Sequence, residues 1–250
     1  MYIIDLDGTM YKGNSNIDGA IDFINYLNKN KIRYMFLTNN ASRTKMQNKE
    51  HMLALGFSNI DENSFYTSSM AACNYVRKNF KGNKAFYIGA DGLYEALKDN
   101  GFEIVNDSAD FVFVGLDINA NYRNYSKALN NLMNGAILIG TNNDRKLPHN
   151  DKFNVGNGAI VKMLEYASEQ ESIKVGKPHM PILTEILNYA KVDKDDVILI
   201  GDNLETDIAL GFNNKVKTIM VTSGVHTKDD VLRLNIIPDR IISNLKELIK

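Results

Sequence analysis

Two carboxylates two residues apart follow the first apolar run of the chain. The sequence opens MYIIDLDGT, so Asp5 and Asp7 come directly after four apolar or aromatic residues. Such a pair can supply a nucleophile and a general acid/base from one short loop. Clustered carboxylates repel each other, so some of them would be protonated unless a cation joins them. A small set of oxygen ligands favours Mg²⁺, an ion that commonly binds together with phosphate.

Further polar residues stand at the ends of later apolar runs. Thr38 and Asn39 follow MFL, and Asp202 follows VILIG. In open parallel sheets, ligands bind beyond the carboxyl ends of the strands. We therefore expect these residues and the first two aspartates to converge on one crevice. Lys177, in the stretch VGKP, is the predicted cationic donor for a phosphate group.

Each of these features has a structural explanation when it is taken alone. Aspartates often end strands as turn or N-cap residues, and Asp207 fits the first turn of a helix. An EF-hand is disfavoured, because a strand replaces its entering helix and Met10 occupies the position that requires glycine. The order of the features along the chain, and their placement at strand ends, favour a functional site.

Strands and helices alternate along the chain. Apolar residues at helical spacing predict helices near 17–31, 44–55, 69–79, 91–100, 122–134, 158–168, 181–190 and 206–212. Strands are predicted at MYIID and SFYTS and at 33–38, 84–89, 110–115, 136–141, 197–202 and 217–221. This alternation favours parallel sheets with helices outside them.

The composition indicates a globular protein with few specialised features. The chain has 250 residues, 44% of them hydrophobic, which suits one or two domains. A net charge of -1 gives no reason to expect a nucleic-acid or membrane partner. Cys73 is the single cysteine, so an internal disulfide is excluded. The opening MYIIDLD is too short and acidic for a signal peptide, and a cytoplasmic location is expected.

Four stretches together resemble the motifs of the haloacid dehalogenase (HAD) superfamily. They are DLDGT at 5–9, LTNN at 37–40, VGKP at 175–178 and GDNLETD at 201–207. With FYTS and the continuation DIALG, the chain resembles the NagD-like branch, which includes nitrophenyl-phosphatases and pyridoxal-phosphate phosphatases. The resemblance implies an α/β fold: a Rossmann-like, doubly wound parallel-sheet core with an inserted α/β cap domain. It places the core at 1–80 and 174–250 and the cap at 81–173.

The resemblance also implies a mechanism. The residue at the position of Asp5 attacks phosphorus and forms an aspartyl-phosphate. The residue at the position of Asp7 protonates the leaving oxygen and then deprotonates the hydrolytic water. Mg²⁺ would be held by the carboxylates of Asp5 and Asp202 and by the backbone carbonyl of Asp7.

Other polar residues receive supporting roles from the same resemblance. The side chains implied to hold the phosphate, together with backbone amides after the nucleophile, are Thr38, Asn39 and Lys177. Thr9 is expected to orient Asp7. Asp207 is expected to hold a metal-bound water or to orient Lys177, without itself being a metal ligand.

Substrate choice is expected to depend on two cap segments. The candidate residues are Leu116, Asp117, Asn143, Asp144 and His149. The chain reads TNND at 141–144 where many family members read TNPD, so Asn143 is expected to loosen this loop. His149 is either a substrate contact or a solvated loop histidine. His179 is expected to open a helix, and His226 is expected to lie in a loop.

The predicted function is Mg²⁺-dependent hydrolysis of small-molecule phosphomonoesters. Nucleoside monophosphates, sugar phosphates and pyridoxal phosphate are the candidate substrates. Two alternatives remain: a phosphotransferase that passes phosphate from Asp5 to an acceptor other than water, and a module that binds phosphometabolites without turnover. The expected partner is a small phosphorylated metabolite, and caps of this sort can form a homodimer.

Overall fold

The computed structural model describes residues 1–149 and 152–250, and for residues 148 and 149 it describes the backbone alone. The α-helices are α1 Ala20–Lys29, α2 Lys45–Ala54, α3 Ser68–Asn79, α4 Asp91–Asp99, α5 Tyr122–Met133, α6 Asn157–Ser168, α7 Met180–Ala190, α8 Ala209–Asn214 and α9 Lys228–Leu234. The strands are β1 Tyr2–Ile4, β2 Tyr11–Lys12, β3 Ser15–Asn16, β4 Tyr34–Thr38, β5 Phe65–Thr67, β6 Lys84–Ile88, β7 Glu103–Ile104, β8 Phe111–Val114, β9 Ile137–Gly140, β10 Lys146–His149, β11 Lys152–Val155, β12 Ile173–Lys174, β13 Ile198–Gly201, β14 Lys217–Val221 and β15 Arg240–Ile242.

The chain divides into two compact units. The first unit contains Met1–Thr38, Lys45–Tyr66 and Ile186–Lys250, and the second contains Asn39–Thr44 and Thr67–Glu185. Each unit is built around a sheet of its own. None of the helices in the described part of the chain combines the length and apolar character needed to cross a bilayer. The cap predicted at 81–173 falls within the sequence range of the second unit, and its exact bounds stay a prediction.

The sheet of the first unit places the first strand in its middle. The strand order is β15-β14-β13-β1-β4-β5, and the pairings from β15 through β4 are parallel. The chain therefore winds outward from β1 in both directions, which makes the two sides of β1 the point where the strand order reverses. The predicted Rossmann-like, doubly wound α/β fold is confirmed.

The first unit buries the residues that the sequence pattern selects. Ile3 and Ile4 of β1 are at most 1% exposed. The apolar face of α1 consists of Ala20, Phe23, Ile24 and Leu27, and all four are buried. Their spacing places them on one side of the helix. This side packs into the apolar core that also contains Ile4 of β1. Burial of this face holds α1 against the strand that leads into the first aspartates.

The second unit has a parallel sheet in the order β12-β9-β8-β6-β7. Residues of β8 are fully buried, as expected for a central strand with helices on both sides. Helices α5 and α6 contribute Ala128, Leu132, Val161 and Leu164 to the apolar core of this unit. The hairpin of β10 and β11 is antiparallel and pairs Lys146 with Val155.

Several elements have no counterpart in the sequence pattern. The hairpin of β10 and β11 was missed because the described side chains of β11 are all exposed, so it carries no alternation of apolar and polar residues. Strand β15 and helix α9 were also missed. The helix predicted at 206–212 is instead a π-helical turn at Leu204–Ile208 that continues into α8.

Candidate active site

Three polar residues stand at or just beyond the ends of neighbouring strands of the first unit. Ile4 is paired with Phe36 of β4 on one side and with Ile200 of β13 on the other. The residues just beyond these positions include Asp5, Thr38 and Asp202. Parallel pairing brings the carboxyl ends of the three strands to the same edge of the sheet. The register therefore places these three residues at one edge of the sheet of the first unit, and the convergence of the whole predicted set on one crevice stays a prediction.

An acidic cluster lies at this edge. It consists of Asp5, Asp202 and Asp207, whose side chains each offer an oxygen, and these oxygens all lie within 4.8 Å of one another. The three residues are 8%, 1% and 5% exposed, respectively. Buried like charges at such separations repel strongly unless a cation joins them. The oxygen donor set, its burial and its size fit Mg²⁺.

Asp202 is fixed by donors on both of its carboxylate oxygens. The hydroxyl of Thr9 donates to Oδ1 at 3.2 Å, and the backbone amide of Val225 donates to Oδ2 at 2.7 Å. Thr9 is fully buried. The role in orienting Asp7 that the resemblance implies for Thr9 stays a prediction, and the structure adds this hydrogen bond to Asp202. The threonine that follows the paired aspartates therefore links their loop to the end of β13.

Asp207 belongs to the acidic cluster through the π-helical turn that follows β13. Its Oδ2 accepts a hydrogen bond from the amide of Asn203 at 3.1 Å. Gly201 allows this turn to pack on the strand end, because a Cβ there would come 2.3 Å from the Cβ of Asp207. The sequence gives Asp207 a supporting role, but its carboxylate is close enough to Asp5 and Asp202 to share an ion with them.

Asp7 occupies a different environment from Asp5. Its side chain is exposed, whereas that of Asp5 is buried. The backbone turns just after Asp7, where the amide of Gly8 donates to the carbonyl of Tyr11 at 2.8 Å. The two carboxylates therefore differ in their access to solvent, which suits different chemical roles for them.

Replacing Gly8 by alanine is expected to destabilise the first unit and to weaken metal binding. Gly8 has a φ of +94°, and an added Cβ would come 2.4 Å from Oδ2 of Asp202. Gly13→Ala is the matched control, since Gly13 has a φ of +60° and nothing within 4 Å of its Cβ position. We expect Gly8→Ala to lower the free energy of unfolding by about 2 kcal/mol more than Gly13→Ala.

Urea unfolding measures this difference, and the Mg²⁺-dependent rise in melting temperature reports the metal site. Equal losses in the two variants would show that left-handed backbone strain alone accounts for the effect, and that the close approach of Gly8 to Asp202 has no role.

A segment after β14 completes the surroundings of the acidic cluster and was missed by sequence reasoning. The hydroxyl of Ser223 donates to the carbonyl of Gly8 at 2.8 Å. Gly224 packs so closely that a Cβ would come 1.9 Å from Oδ2 of Asp202. Its sequence signal is a serine-glycine pair just beyond a strand that neighbours β13. Such a pair is a plausible site element, because ligands bind beyond the carboxyl ends of the strands of a parallel sheet.

His226 extends this segment and is buried. Its Nδ1 accepts a hydrogen bond from the amide of Leu204 at 3.1 Å, at the start of the π-helical turn. The ring thereby fastens the segment after β14 to the turn that carries Asp207. His226 was predicted to lie in a loop, and the structure places it outside the helices and strands. No sequence pattern indicated its contact with Leu204.

The second unit holds Asn39 and Lys177, two of the residues implied to contact phosphate. The amide of Lys177 donates to Oδ1 of Asn39 at 2.8 Å, and Nδ2 of Asn39 donates to the carbonyl of Lys177 at 3.1 Å. Lys177 is 4% exposed. The side chain of Asn39 thus fixes the backbone of the lysine through two hydrogen bonds.

The predicted cap residues all lie in the second unit. The carbonyl of Leu116 accepts from Ser42, and Oδ1 of Asp117 accepts from the amide of Asn119 at 2.8 Å. Oδ2 of Asp144 accepts from its neighbour Asn142 at 2.6 Å. The side chain of His149 lies outside the described residues, so its role stays a prediction.

Asn143 and His179 are joined by a side-chain contact. Nδ2 of Asn143 lies 2.9 Å from Nε2 of His179. Burial, followed by the charge of Lys174, lowers the pKa of His179 below its ordinary value of 6.5. The ring is therefore neutral at pH 7 and can accept the amide hydrogen on Nε2. The loosening of the loop by Asn143 in place of proline stays a prediction, and the structure shows that the Asn143 side chain contacts His179.

Sequence comparison identifies known proteins that are similar to this chain. A family model for haloacid dehalogenase-like hydrolases matches residues 2–103, and a second model for HAD-like hydrolases matches residues 174–248. An acid sugar phosphatase of Staphylococcus saprophyticus is 36% identical over an alignment that covers 100% of this chain and 96% of that protein. The chain belongs to the family of haloacid dehalogenase-like hydrolases.

Similar solved structures indicate the branch of that family to which the chain belongs. NagD from Escherichia coli has a TM-score of 0.91 and 32% identity, covering 98% of this chain and 96% of that one. A glycerol phosphate phosphatase from Mycobacterium tuberculosis, in complex with magnesium, has a TM-score of 0.90 and 25% identity, covering 100% of this chain and 76% of that one. The protein is a HAD-type phosphatase of the NagD-like branch, as its sequence predicts.

Proposed function

We propose that the protein is a Mg²⁺-dependent phosphatase that hydrolyses small-molecule phosphomonoesters through an aspartyl-phosphate on Asp5. The observation that carries this proposal is the acidic cluster, three buried carboxylates with oxygens within 4.8 Å of one another. It lies where the strand order of a parallel sheet reverses, which is the usual ligand position in such sheets. The similarity to named phosphatases supports the reaction class.

The metal would be held by the carboxylates of Asp5, Asp202 and Asp207, together with the backbone carbonyl of Asp7 that the family resemblance implies. When bound, the ion offsets the charge of the carboxylates and polarises the phosphoryl oxygens. The carboxylate of Asp202 needs no rearrangement for this role, because Thr9 and Val225 already fix its orientation. The magnesium complex of the Mycobacterium tuberculosis phosphatase supports the choice of ion.

The two aspartates of the first loop divide the reaction between them. An oxygen of Asp5 attacks phosphorus while the bond between phosphorus and the leaving oxygen breaks, and Asp7 gives that oxygen a proton. Asp7 then takes a proton from water, whose oxygen attacks phosphorus and breaks its bond to Asp5. The exposure of Asp7 supports its exchange of protons with the leaving group and with water.

Thr38 and Lys177 supply the hydroxyl and the cation that bind phosphate oxygens as charge develops on them. Asn39 acts on phosphate through Lys177, since both ends of its side-chain amide hold the lysine backbone. Backbone amides after Asp5 complete the set. The substrate is a small phosphorylated metabolite, and the sugar phosphatases among the relatives favour a sugar phosphate over a nucleotide or pyridoxal phosphate.

Phosphate release from a panel of sugar phosphates, nucleoside monophosphates and pyridoxal phosphate tests the proposal. Each ester is assayed with Mg²⁺ and with a chelator, and the protein is acid-quenched during turnover for mass spectrometry of the peptide that contains Asp5. We expect Mg²⁺-dependent release, fastest with a sugar phosphate, and a phosphorylated Asp5 in the quenched protein.

The outcomes separate the competing functions. Phosphate transfer to added alcohols or sugars in place of release would indicate a phosphotransferase. Binding of the esters without turnover would indicate a phosphometabolite-binding module. Release that continues undiminished in the chelator would contradict the metal assignment, and a phosphoryl group on another residue would contradict the choice of Asp5.

A further inference from the structure

Two loops of the second unit meet near the phosphate-binding lysine. We name Thr141–Asp144 the asparagine loop and Gly176–His179 the lysine loop. An added Cβ on Gly176 would come 2.5 Å from the carbonyl oxygen of Thr141 and 3.0 Å from the Cα of Asn142. The two loops are therefore in direct backbone contact, with no space for a side chain between them at this point.

The asparagine loop is held from behind by the first turn of α6. Asn157 is 1% exposed, and its Nδ2 lies 3.0 Å from the carbonyl of Val114 and 3.2 Å from the carbonyl of Asn142. Gly158 donates its amide to the carbonyl of Asp144 at 2.9 Å. An added Cβ on Gly158 would come 2.4 Å from the carbonyl oxygen of Asn143. The backbone of this loop is thus fixed on the sheet and the helix.

The lysine loop is held independently by Asn39, which bonds to both the amide and the carbonyl of Lys177. The amide of His179 also donates to the carbonyl of Gly176 at 3.0 Å and closes the loop. With both loops fixed separately, the contact between Asn143 and His179 adds a side-chain link across them. It joins the loop that carries the phosphate-binding lysine to a loop that carries predicted substrate contacts.

We propose that Asn143 and His179 are a positioning pair that sets the asparagine loop for recognition of the leaving group of the substrate. The proposal rests on the proposed phosphatase function. Because Asn39 holds Lys177 without help from the pair, loss of the pair leaves phosphate binding intact and disturbs the recognition of the alcohol portion. The pair therefore determines selectivity between esters and has little influence on the chemical step.

The test compares two esters in each variant. One is the sugar phosphate that the wild type hydrolyses with the highest kcat/KM, and the other is p-nitrophenyl phosphate, whose leaving group has no hydroxyl groups to be recognised. We expect His179→Ala and Asn143→Ala each to raise KM for the sugar phosphate about 5-fold, the effect of one net hydrogen bond. Their kcat values, and kcat/KM for p-nitrophenyl phosphate, should stay within about 2-fold of wild type.

Three further variants make the result specific. The double variant should match either single variant, because both remove the same contact. His179→Gln should restore KM to within about 2-fold of wild type, since its amide can pair with Asn143. Asn119→Ala, an exposed asparagine in the same unit, should leave both esters unchanged.

Equal losses with both esters, or additive effects in the double variant, would overturn the pairing role. Absence of turnover in the wild type would overturn the proposed function and, with it, the role in substrate selection. Urea unfolding of the wild type, the two alanine variants and the double variant would still test the contact itself. Losses in the free energy of unfolding that do not add in the double variant would show that Asn143 and His179 interact.

Discussion

Asp5→Asn is expected to abolish phosphate release, lowering kcat by at least about 10⁴-fold, as the loss of a covalent nucleophile does in other enzymes. A carboxamide oxygen is a poor nucleophile, and it carries no charge to bind the metal. The fold should survive the change, because asparagine has nearly the same shape and the amide of residue 5 remains bonded to the carbonyl of Ile200 at 2.8 Å.

The measurement is steady-state release of phosphate from the preferred ester, with thermal unfolding as the check on folding. Asp195→Asn is the matched control, because Asp195 is an exposed aspartate of the same unit, in the turn at Lys194–Asp196. The control should retain wild-type kcat. Activity of Asp5→Asn within about tenfold of wild type would show that phosphate is not transferred to this residue.

Asp202→Asn has the second largest expected effect, a rise of about 10- to 100-fold in the Mg²⁺ concentration needed for half-saturation. Asp202 is the most buried member of the acidic cluster, so removing its charge takes away a large part of the attraction for a cation. The substitution should be tolerated by the fold, since the amide oxygen can still accept from Val225 and the hydroxyl of Thr9 can turn to accept from the new amide.

Calorimetric titration with Mg²⁺ gives the dissociation constant directly, without reference to activity. Without metal, we expect Asp202→Asn to be as stable as the wild type or more stable, because one of three mutually repelling charges is gone. With saturating Mg²⁺ the order should reverse. A variant that binds Mg²⁺ as tightly as the wild type would show that the ion is held elsewhere.

The sequence determined the framework of the first unit to a considerable extent. The run MYIID predicted a short strand, and the apolar spacing at Ala20, Phe23, Ile24 and Leu27 predicted the helix that became α1 and its buried face. Alternation of such elements limits the fold to parallel sheets with helices outside them. The positions of Asp5 and Asp202 at strand ends then followed, because both stand directly after apolar runs.

The partners of those aspartates depended on tertiary structure. Thr9 and Asp202 are 193 residues apart in sequence, and Ser223 and Gly8 are 215 apart. Local periodicity carries no information on pairs so distant. They meet because β1 pairs with β13 and β13 with β14 in a particular register. The same register brings Asp207 into the acidic cluster.

In the second unit, a strand and a side-chain contact were found only in the structure, because neither leaves a pattern in composition or periodicity. The exposed strand β11 has no apolar face for a pattern to reveal, and it exists through its pairing with β10. The link between Asn143 and His179 likewise joins two loops that no periodic pattern describes. Short-range sequence patterns predict the elements that bury one apolar face, because the pattern reflects that burial. Which polar side chains meet is decided by strand order, register and loop packing, and these arise from contacts between segments far apart in the chain.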